Sequence, residues 1–177
     1  MKTYLVVTLT CPDRPGIVDR VTEAISGYSA NWEESRMAHL GGEFAGIVKI
    51  SVPQEEAEAV AAALWGMADD EMTVAVKFTK SVASESPGEH GLYELRLEGA
   101  DHEGIVHTVS HYLAGQGVNV ETMDTEVARA PISATPLFHM VAQIKVPAGL
   151  TLSELNANLD RIAEDLGVDI EVRPCQG

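Results

Sequence analysis

The sequence predicts an α+β fold made of two successive β-α-β-β-α-β units, each a four-stranded antiparallel sheet with two helices on one face. The first observation is an internal repeat: Asp13-Arg14-Pro15-Gly16-Ile17-Val18 returns 88 residues later as Asp101-His102-Glu103-Gly104-Ile105-Val106. The second is a strand-like apolar run before each repeat, and the third is an amphipathic helical pattern after it. A repeat of this length indicates a duplicated domain.

The first copy divides into six elements. Ile17, Val18, Val21 and Ile25 recur at helical spacing after the first strand. Gly41-Gly42 joins two strand-like runs as a tight hairpin, and Pro53 ends the second of them. The predicted elements are strand 3–10, helix 16–26, strand 31–40, strand 43–52, helix 54–67 and strand 72–80.

The second copy repeats this order, with strand 91–99, helix 104–114, strand 119–128, strand 136–146, helix 151–166 and strand 168–173. Phe44 corresponds to Phe138 at an offset of 94 instead of 88, so six extra residues must lie around 128–136. Prolines make this insertion a loop, and a lid over the site and a dimer arm are equally compatible with it. We therefore expect a first domain at 1–80, a linker at 81–90 and a second domain at 91–177.

Composition limits the partners and the location of the protein. The 177 residues carry a net charge of −15 and no cluster of Lys or Arg, which disfavours direct binding to nucleic acids or anionic membranes. The longest apolar run, 59–68, is too short to cross a bilayer, and the start at Met1 leads straight into a strand without room for a signal peptide. Two cysteines suggest no disulfide framework, so a cytoplasmic protein is expected.

A small anion site is predicted where each repeat begins its helix. Asp13 and Asp101 occupy positions suited to an N-cap, while Gly16 and Gly104 allow close approach of a ligand or of neighbouring backbone. Free N–H groups of the first helical turn could hold a carboxylate, and a nearby Asp or Asn oxygen could hold an ammonium group. This chemistry suits an amino-acid zwitterion, although a simple cap and tight turn would use the same residues.

The segment Cys11-Pro12-Asp13-Arg14-Pro15-Gly16-Ile17, followed by Ala30-Asn31-Trp32-Glu33, resembles the ACT-domain family, whose small βαββαβ modules bind amino acids and regulate metabolism. The resemblance covers essentially the whole chain as two modules with a ferredoxin-like fold. The stretch 34–44 is most similar to the glycine cleavage system transcriptional repressor subfamily. Those proteins are tandem ACT regulators that act through a protein partner instead of binding DNA.

The resemblance also implies the ligand-binding residues, position by position. They are Asp13, Arg14, Gly16, Ile17 and Asn31 in the first copy, and Asp101, His102, Gly104, Ile105 and Asn119 in the second. The second copy departs from the pattern, because His102 replaces the arginine and Glu103 replaces the proline. The carboxylate of Glu103 weakens the case for an anion there, and Asn31 and Asn119 could equally be polar residues that begin a strand.

The sequence raises three functional hypotheses: an amino-acid sensor, a ligand-free scaffold and an enzyme. The leading hypothesis is a non-catalytic sensor, a homodimer that binds glycine or serine between ACT modules and shifts its affinity for a protein partner. The alternative is a scaffold that dimerises or binds a partner without ligand, which predicts that Arg14 and His102 form salt bridges. An enzyme is not expected: Arg14 and Asn31 loosely resemble the pair in acylphosphatases, but the loop glutamine is missing and Asp13 would repel a phosphate.

Neither a cofactor nor a metal is expected. His107 and His111 have the i, i+4 spacing of some metal sites. The apolar stripe is predicted to be buried and places both histidines on the opposite face; it consists of Ile105, Val106, Val109 and Leu113. Cys11 is expected to be a small, partly buried thiol.

Overall fold

The computed structural model describes residues 1–79, 90–129 and 135–175, and its element order confirms the two predicted β-α-β-β-α-β units. The elements of the first unit are β1 (Lys2–Pro12), α1 (Ile17–Ser26), β2 (Asn31–Leu40), β3 (Glu43–Pro53), α2 (Ala57–Trp65) and β4 (Thr73–Thr79). Those of the second are β5 (His90–Ala100), α3 (Ile105–Gly115), β6 (Asn119–Arg129), β7 (Pro136–Pro147), α4 (Leu152–Leu166) and β8 (Val168–Pro174). Residues 81–89 of the predicted linker and 130–134 of the predicted insertion lie outside the described residues.

Both units have the same sheet topology. The strand order is β2-β3-β1-β4 in the first and β6-β7-β5-β8 in the second, with antiparallel pairing throughout. The chain divides into two compact units, Met1–Ala83 and Ser84–Gly177. In each sheet the longest ladder joins the two central strands, β1 with β3 and β5 with β7.

One face of each sheet forms the core. In β1, the buried side chains of Leu5, Val7 and Leu9 alternate with less buried neighbours, as expected for a sheet covered on one side. They pack with buried residues of α1 and α2, including Val21 and Leu64. Burial of each such side chain contributes about 1.5–3 kcal/mol relative to an exposed one. The second unit has its own core of the same kind.

Helix α2 differs from its predicted limits by more than one residue, whereas the other helices agree with theirs to within one residue. Helix α2 begins at Ala57, three residues after the predicted start, because residues 54–56 form a turn in which the Glu56 N–H donates to the Pro53 carbonyl at 3.0 Å. It ends at Trp65 instead of residue 67. Within the described ranges, no helix combines the length and the apolar character that a membrane span requires.

Candidate functional site

The predicted ligand loops join the first strand of each unit to its first helix and are fixed to a hairpin strand. The Asp13 N–H donates to the Gly42 carbonyl at 2.9 Å, and the Asp101 N–H donates to the Pro136 carbonyl at 3.0 Å. Asp13 Oδ2 also lies 3.7 Å from His39 Nε2. Each loop is therefore held by a backbone hydrogen bond to the start of the second hairpin strand. Gly42 directly precedes β3, and Pro136 is the first residue of β7.

The prediction that Asp13 and Asp101 cap these helices is wrong. Gly16 and Gly104 occupy the N-cap positions, and in neither helix does a side chain form a cap hydrogen bond. Helix α4 differs, because the Thr151 side chain accepts a hydrogen bond from the Glu154 N–H in a complete capping box. The first turns of α1 and α3 consequently keep N–H groups without a side-chain acceptor, which is the requirement for binding an anion.

The two N-cap glycines have the same unusual backbone conformation. Gly16 has φ 92° and Gly104 has φ 93°, a left-handed region that residues with a Cβ rarely adopt. A Cβ built on either glycine would have no atom within 4 Å. Backbone conformation explains the requirement for glycine here, and the space above each glycine is open to a ligand.

Arg14 is already paired within the first unit. Its Nη1 atom lies 2.9 Å from Glu71 Oε2, in the segment between α2 and β4. Arg20, on α1, approaches the same segment, with Nη2 3.6 Å from Asp69 Oδ2 and 3.4 Å from the Met67 carbonyl. Backbone hydrogen bonds from Glu71 and then from Met72 lower the pKa of Asp69 below its ordinary value. The loop is thus connected to the α2–β4 segment by arginine contacts.

His102, the counterpart of Arg14, contacts the equivalent region of the second unit. Its Nδ1 atom lies 2.9 Å from the Glu103 carbonyl oxygen, and its Nε2 atom lies 2.8 Å from the Leu166 carbonyl oxygen at the end of α4. Both ring nitrogens can donate only in the imidazolium form, so these carbonyls, Glu103 first, raise the pKa of His102. His102 therefore bonds backbone carbonyls, whereas Arg14 forms the salt bridge that the scaffold hypothesis predicts.

Asn31 and Asn119 do not lie near the loop of their own unit. Asn31 pairs with Ser51 at one end of the β2–β3 ladder, whereas Pro12, just before the loop, pairs with Glu43 at the other. Positions 43 and 51 are eight residues apart on β3, or about 26 Å at ~3.3 Å per residue. The same relation holds in the second unit, where Asn119 pairs with Lys145. A single unit does not bring its loop and its asparagine together.

Two glutamates beside these asparagines were missed by the sequence reasoning. The register of β2 shifts between Trp32 and Glu34, and Glu33 is the extra residue of this bulge; Glu121 holds the same place in β6. Asn31 Nδ2 donates to Glu33 Oε1 at 3.1 Å, and Asn119 Nδ2 donates to Glu121 Oε1 at 2.5 Å. The Asn-x-Glu spacing occurs in both copies, so comparing the repeats beyond the helix start would have revealed it.

The other residues considered in the sequence fall into two groups, buried core residues and exposed histidines. Ile17 and Ile105 are 4% and 2% exposed, so their side chains belong to the cores and only their backbone is available to a ligand. Cys11 is also buried, and burial raises the pKa of its thiol. His107 and His111 are exposed, as predicted, and their rings stack with centroids 5.9 Å apart. The prediction that Val106 is buried with the rest of its stripe is wrong, because this residue directly follows Ile105 and lies on the exposed side of α3.

Comparison with known proteins adds a family relationship. The ACT domain family model matches residues 3–79. A stretch of 48 residues is 48% identical to the glycine cleavage system transcriptional repressor of Escherichia coli (strain K12), and the match covers 27% of this chain and 25% of the repressor. The chain thus covers only a quarter of that relative's length.

Two solved structures extend the comparison to the whole chain. An unknown protein from Galdieria sulphuraria is 35% identical, with 99% of this chain and 100% of that chain covered and a TM-score of 0.85. A structure described as a candidate glycine cleavage system transcriptional repressor is 22% identical, with 100% and 99% covered and a TM-score of 0.73, which shows a shared fold.

Proposed function

We propose that this chain is a non-catalytic regulatory protein that binds a small amino acid, because the ACT domain family model matches residues 3–79 and the second unit repeats the same fold. The observation that supports this most directly is the pair of uncapped helix starts. The first turns after Gly16 and Gly104 have N–H groups without a side-chain acceptor, and a Cβ placed on either glycine would meet no atom within 4 Å. A ligand carboxylate can accept hydrogen bonds from such groups.

The separation of the loop from Asn31 determines how a complete site must be built. The two charged groups of an α-amino acid are joined through one carbon atom, whereas the ladder places the loop and Asn31 about 26 Å apart. A zwitterion that uses both must take its carboxylate contacts from the loop of one module and its ammonium contacts from the β2 start of another. A homodimer would supply such pairs of modules, and the way in which the modules pair stays a prediction.

The proposed regulation acts through a protein partner. An amino acid that binds only one packing of the modules would favour that packing and change the affinity for the partner. The net charge of −15 suits a partner with a basic surface. The partial match to a glycine cleavage system transcriptional repressor supports glycine metabolism as the regulated process, with glycine or serine as the ligand.

A ligand-free scaffold is the second candidate function. It is favoured by one contact, the 2.9 Å ion pair between Arg14 and Glu71, because this loop cation is satisfied without a ligand. In this case the tandem modules would present a dimerisation or partner surface, and the loops would serve only as turns between β1 and α1 and between β5 and α3.

Titration calorimetry of the purified chain against each standard amino acid, beginning with glycine and serine, distinguishes the two functions. The sensor function predicts saturable binding that weakens in Asp13→Ala and Asn31→Ala, with folding verified by circular dichroism. Absence of heat for every amino acid up to about 10 mM, with the protein folded, would leave the scaffold function.

A further inference from the structure

We infer that Glu33 is the group that receives the ammonium of the bound amino acid, and that Lys145 prevents its counterpart Glu121 from doing the same. This inference rests on the proposed function and deepens it, because it assigns the ammonium subsite and predicts that the two copies are unequal. The ligand class is an α-amino acid with a free amino group.

The Glu33 carboxylate is held in place by two hydrogen bonds. Glu33 Oε1 accepts hydrogen bonds from Asn31 Nδ2 at 3.1 Å and from Ser51 Oγ at 2.5 Å. Ser51 is 1% exposed, so one of these donors is fixed inside the sheet. The bulge at Glu33 directs a side chain that regular pleating would direct elsewhere. The result is an oriented carboxylate beside the asparagine implied by the family resemblance.

In the described part of the chain, no cation lies within ion-pair distance of the Glu33 carboxylate. Its two hydrogen-bond donors are neutral, and within residues 1–79, 90–129 and 135–175 it forms no ion pair. Hydrogen bonds from Ser51 and then Asn31 lower its pKa, while Lys2 and Lys49 attract it only at longer range. An ionised carboxylate with this environment is a suitable acceptor for a ligand ammonium group.

In the second copy, the corresponding carboxylate of Glu121 is paired with a cation. The register places Lys145 opposite Asn119, where the first copy places Ser51 opposite Asn31. Lys145 Nζ lies 3.4 Å from Glu121 Oε2, so a protein ammonium already occupies the place that a ligand would need. The two copies therefore differ at this position by a single residue. Serine at position 51 leaves the Glu33 carboxylate available to a cation, whereas lysine at position 145 neutralises the Glu121 carboxylate.

The consequence is a prediction of selectivity and of stoichiometry. The Glu33 subsite favours an amino acid over the corresponding 2-hydroxy acid, because a hydroxyl group carries no positive charge to pair with the carboxylate. The chain should bind one amino acid through Glu33 and none through Glu121. A symmetric pair of sites would instead bind two.

Calorimetry on the full chain tests the inference with glycine, L-alanine and L-serine, each compared with glycolate, L-lactate or L-glycerate. In the wild type, at least one amino acid should bind with one site per chain and more tightly than its hydroxy acid. Glu33→Gln should weaken amino-acid binding about tenfold or more and remove the preference over the hydroxy acid. The matched control Glu121→Gln should leave both unchanged.

Exchanging the residue that differs between the copies gives a second, independent test. Ser51→Lys should weaken binding as Glu33→Gln does, and Lys145→Ser should add a second site per chain. Equal binding by the wild type and a folded Glu33→Gln, or a loss confined to Glu121→Gln, would overturn the inference while leaving the proposed function intact. If the wild type bound none of the amino acids, both the inference and the proposed amino-acid-binding function would be overturned.

Discussion

Arg14 Nη1 and Glu71 Oε2 lie 2.9 Å apart and connect the loop before α1 to the segment before β4. The side chains are 40% and 62% exposed, so solvent screens the pair and its coupling energy should be at most about 1 kcal/mol. A double-mutant cycle with Arg14→Met and Glu71→Gln, measured by urea unfolding, should give a value in this range that shrinks in 1 M salt. A salt-insensitive coupling several times larger would show that the contact is desolvated.

Variants of Arg14 and Glu71 also distinguish the amino-acid sensor function from the ligand-free scaffold function. If the loop binds a carboxylate, Glu71→Gln removes a competing anion and should leave amino-acid affinity equal or greater, whereas Arg14→Met should reduce it. Calorimetry with glycine and serine measures both, and Glu55→Gln, an exposed acid next to α2, serves as the control. A scaffold would show no binding in any of the three variants.

His102 predicts a pH dependence of stability. The Glu103 carbonyl first, and the Leu166 carbonyl second, raise its pKa above the ordinary value of 6.5. A pKa raised in the folded state means that this stabilisation is fully present below pH 6.5 and is lost as pH rises through the folded pKa. The difference in unfolding free energy between wild type and His102→Asn should therefore shrink from pH 5.5 to pH 8. A constant difference across this range would contradict the assignment.

Gly16 and Gly104 should resist substitution for a reason unrelated to crowding. Alanine would have space at both positions but would have to adopt φ near 92°, so each variant should lose about 1–2 kcal/mol of unfolding free energy. Gly27→Ala is a matched control, because that glycine also has open space but a φ of −79°. Thermal unfolding should show little change for Gly27→Ala, and an equal loss in all three variants would exclude backbone strain as the cause.

The capping box of α4 gives a prediction for the second unit. Thr151 Oγ1 accepts from the Glu154 N–H at 3.2 Å, and the Glu154 carboxylate accepts from the Thr151 N–H at 3.1 Å. Thr151→Ala should cost about 0.5–2 kcal/mol. The exposed Ser153→Ala, two residues later on the same helix, should be neutral or slightly stabilising. Urea unfolding of both variants measures the contrast.

The fold could be predicted from the sequence because local signals agreed with the tertiary arrangement. Three members of the predicted apolar stripe of α1, Ile17, Val21 and Ile25, are buried, and Gly41-Gly42 formed the expected hairpin. The fourth member, Val18, is 42% exposed, because it directly follows Ile17 and the helix turns its side chain away from the core. The capping role of Asp13 was wrong because a left-handed glycine occupied the N-cap instead. The conformation of this loop depends on its hydrogen bond to Gly42, a tertiary contact. The spacing of residues along the sequence gives no information about that contact.

The candidate site was only partly predictable. The loop and Asn31 were both identified, but their separation along the ladder follows from strand register, which the resemblance did not supply. Glu33 was missed because a bulge changes the direction of a side chain that simple alternation assigns to the other face. Ser51 gave no signal in one copy alone and became informative only once the register matched it to Lys145.

The duplication has a genetic consequence. In a homodimer of single modules, every mutation appears in both subunits, so equivalent positions cannot diverge. Here both modules are encoded in one chain, and position 51 carries serine while its counterpart, position 145, carries lysine. A single codon change can therefore alter one half of the molecule and leave the other half to preserve the original property. Inherited asymmetry of this kind is available to a fused pair and not to an association of identical subunits.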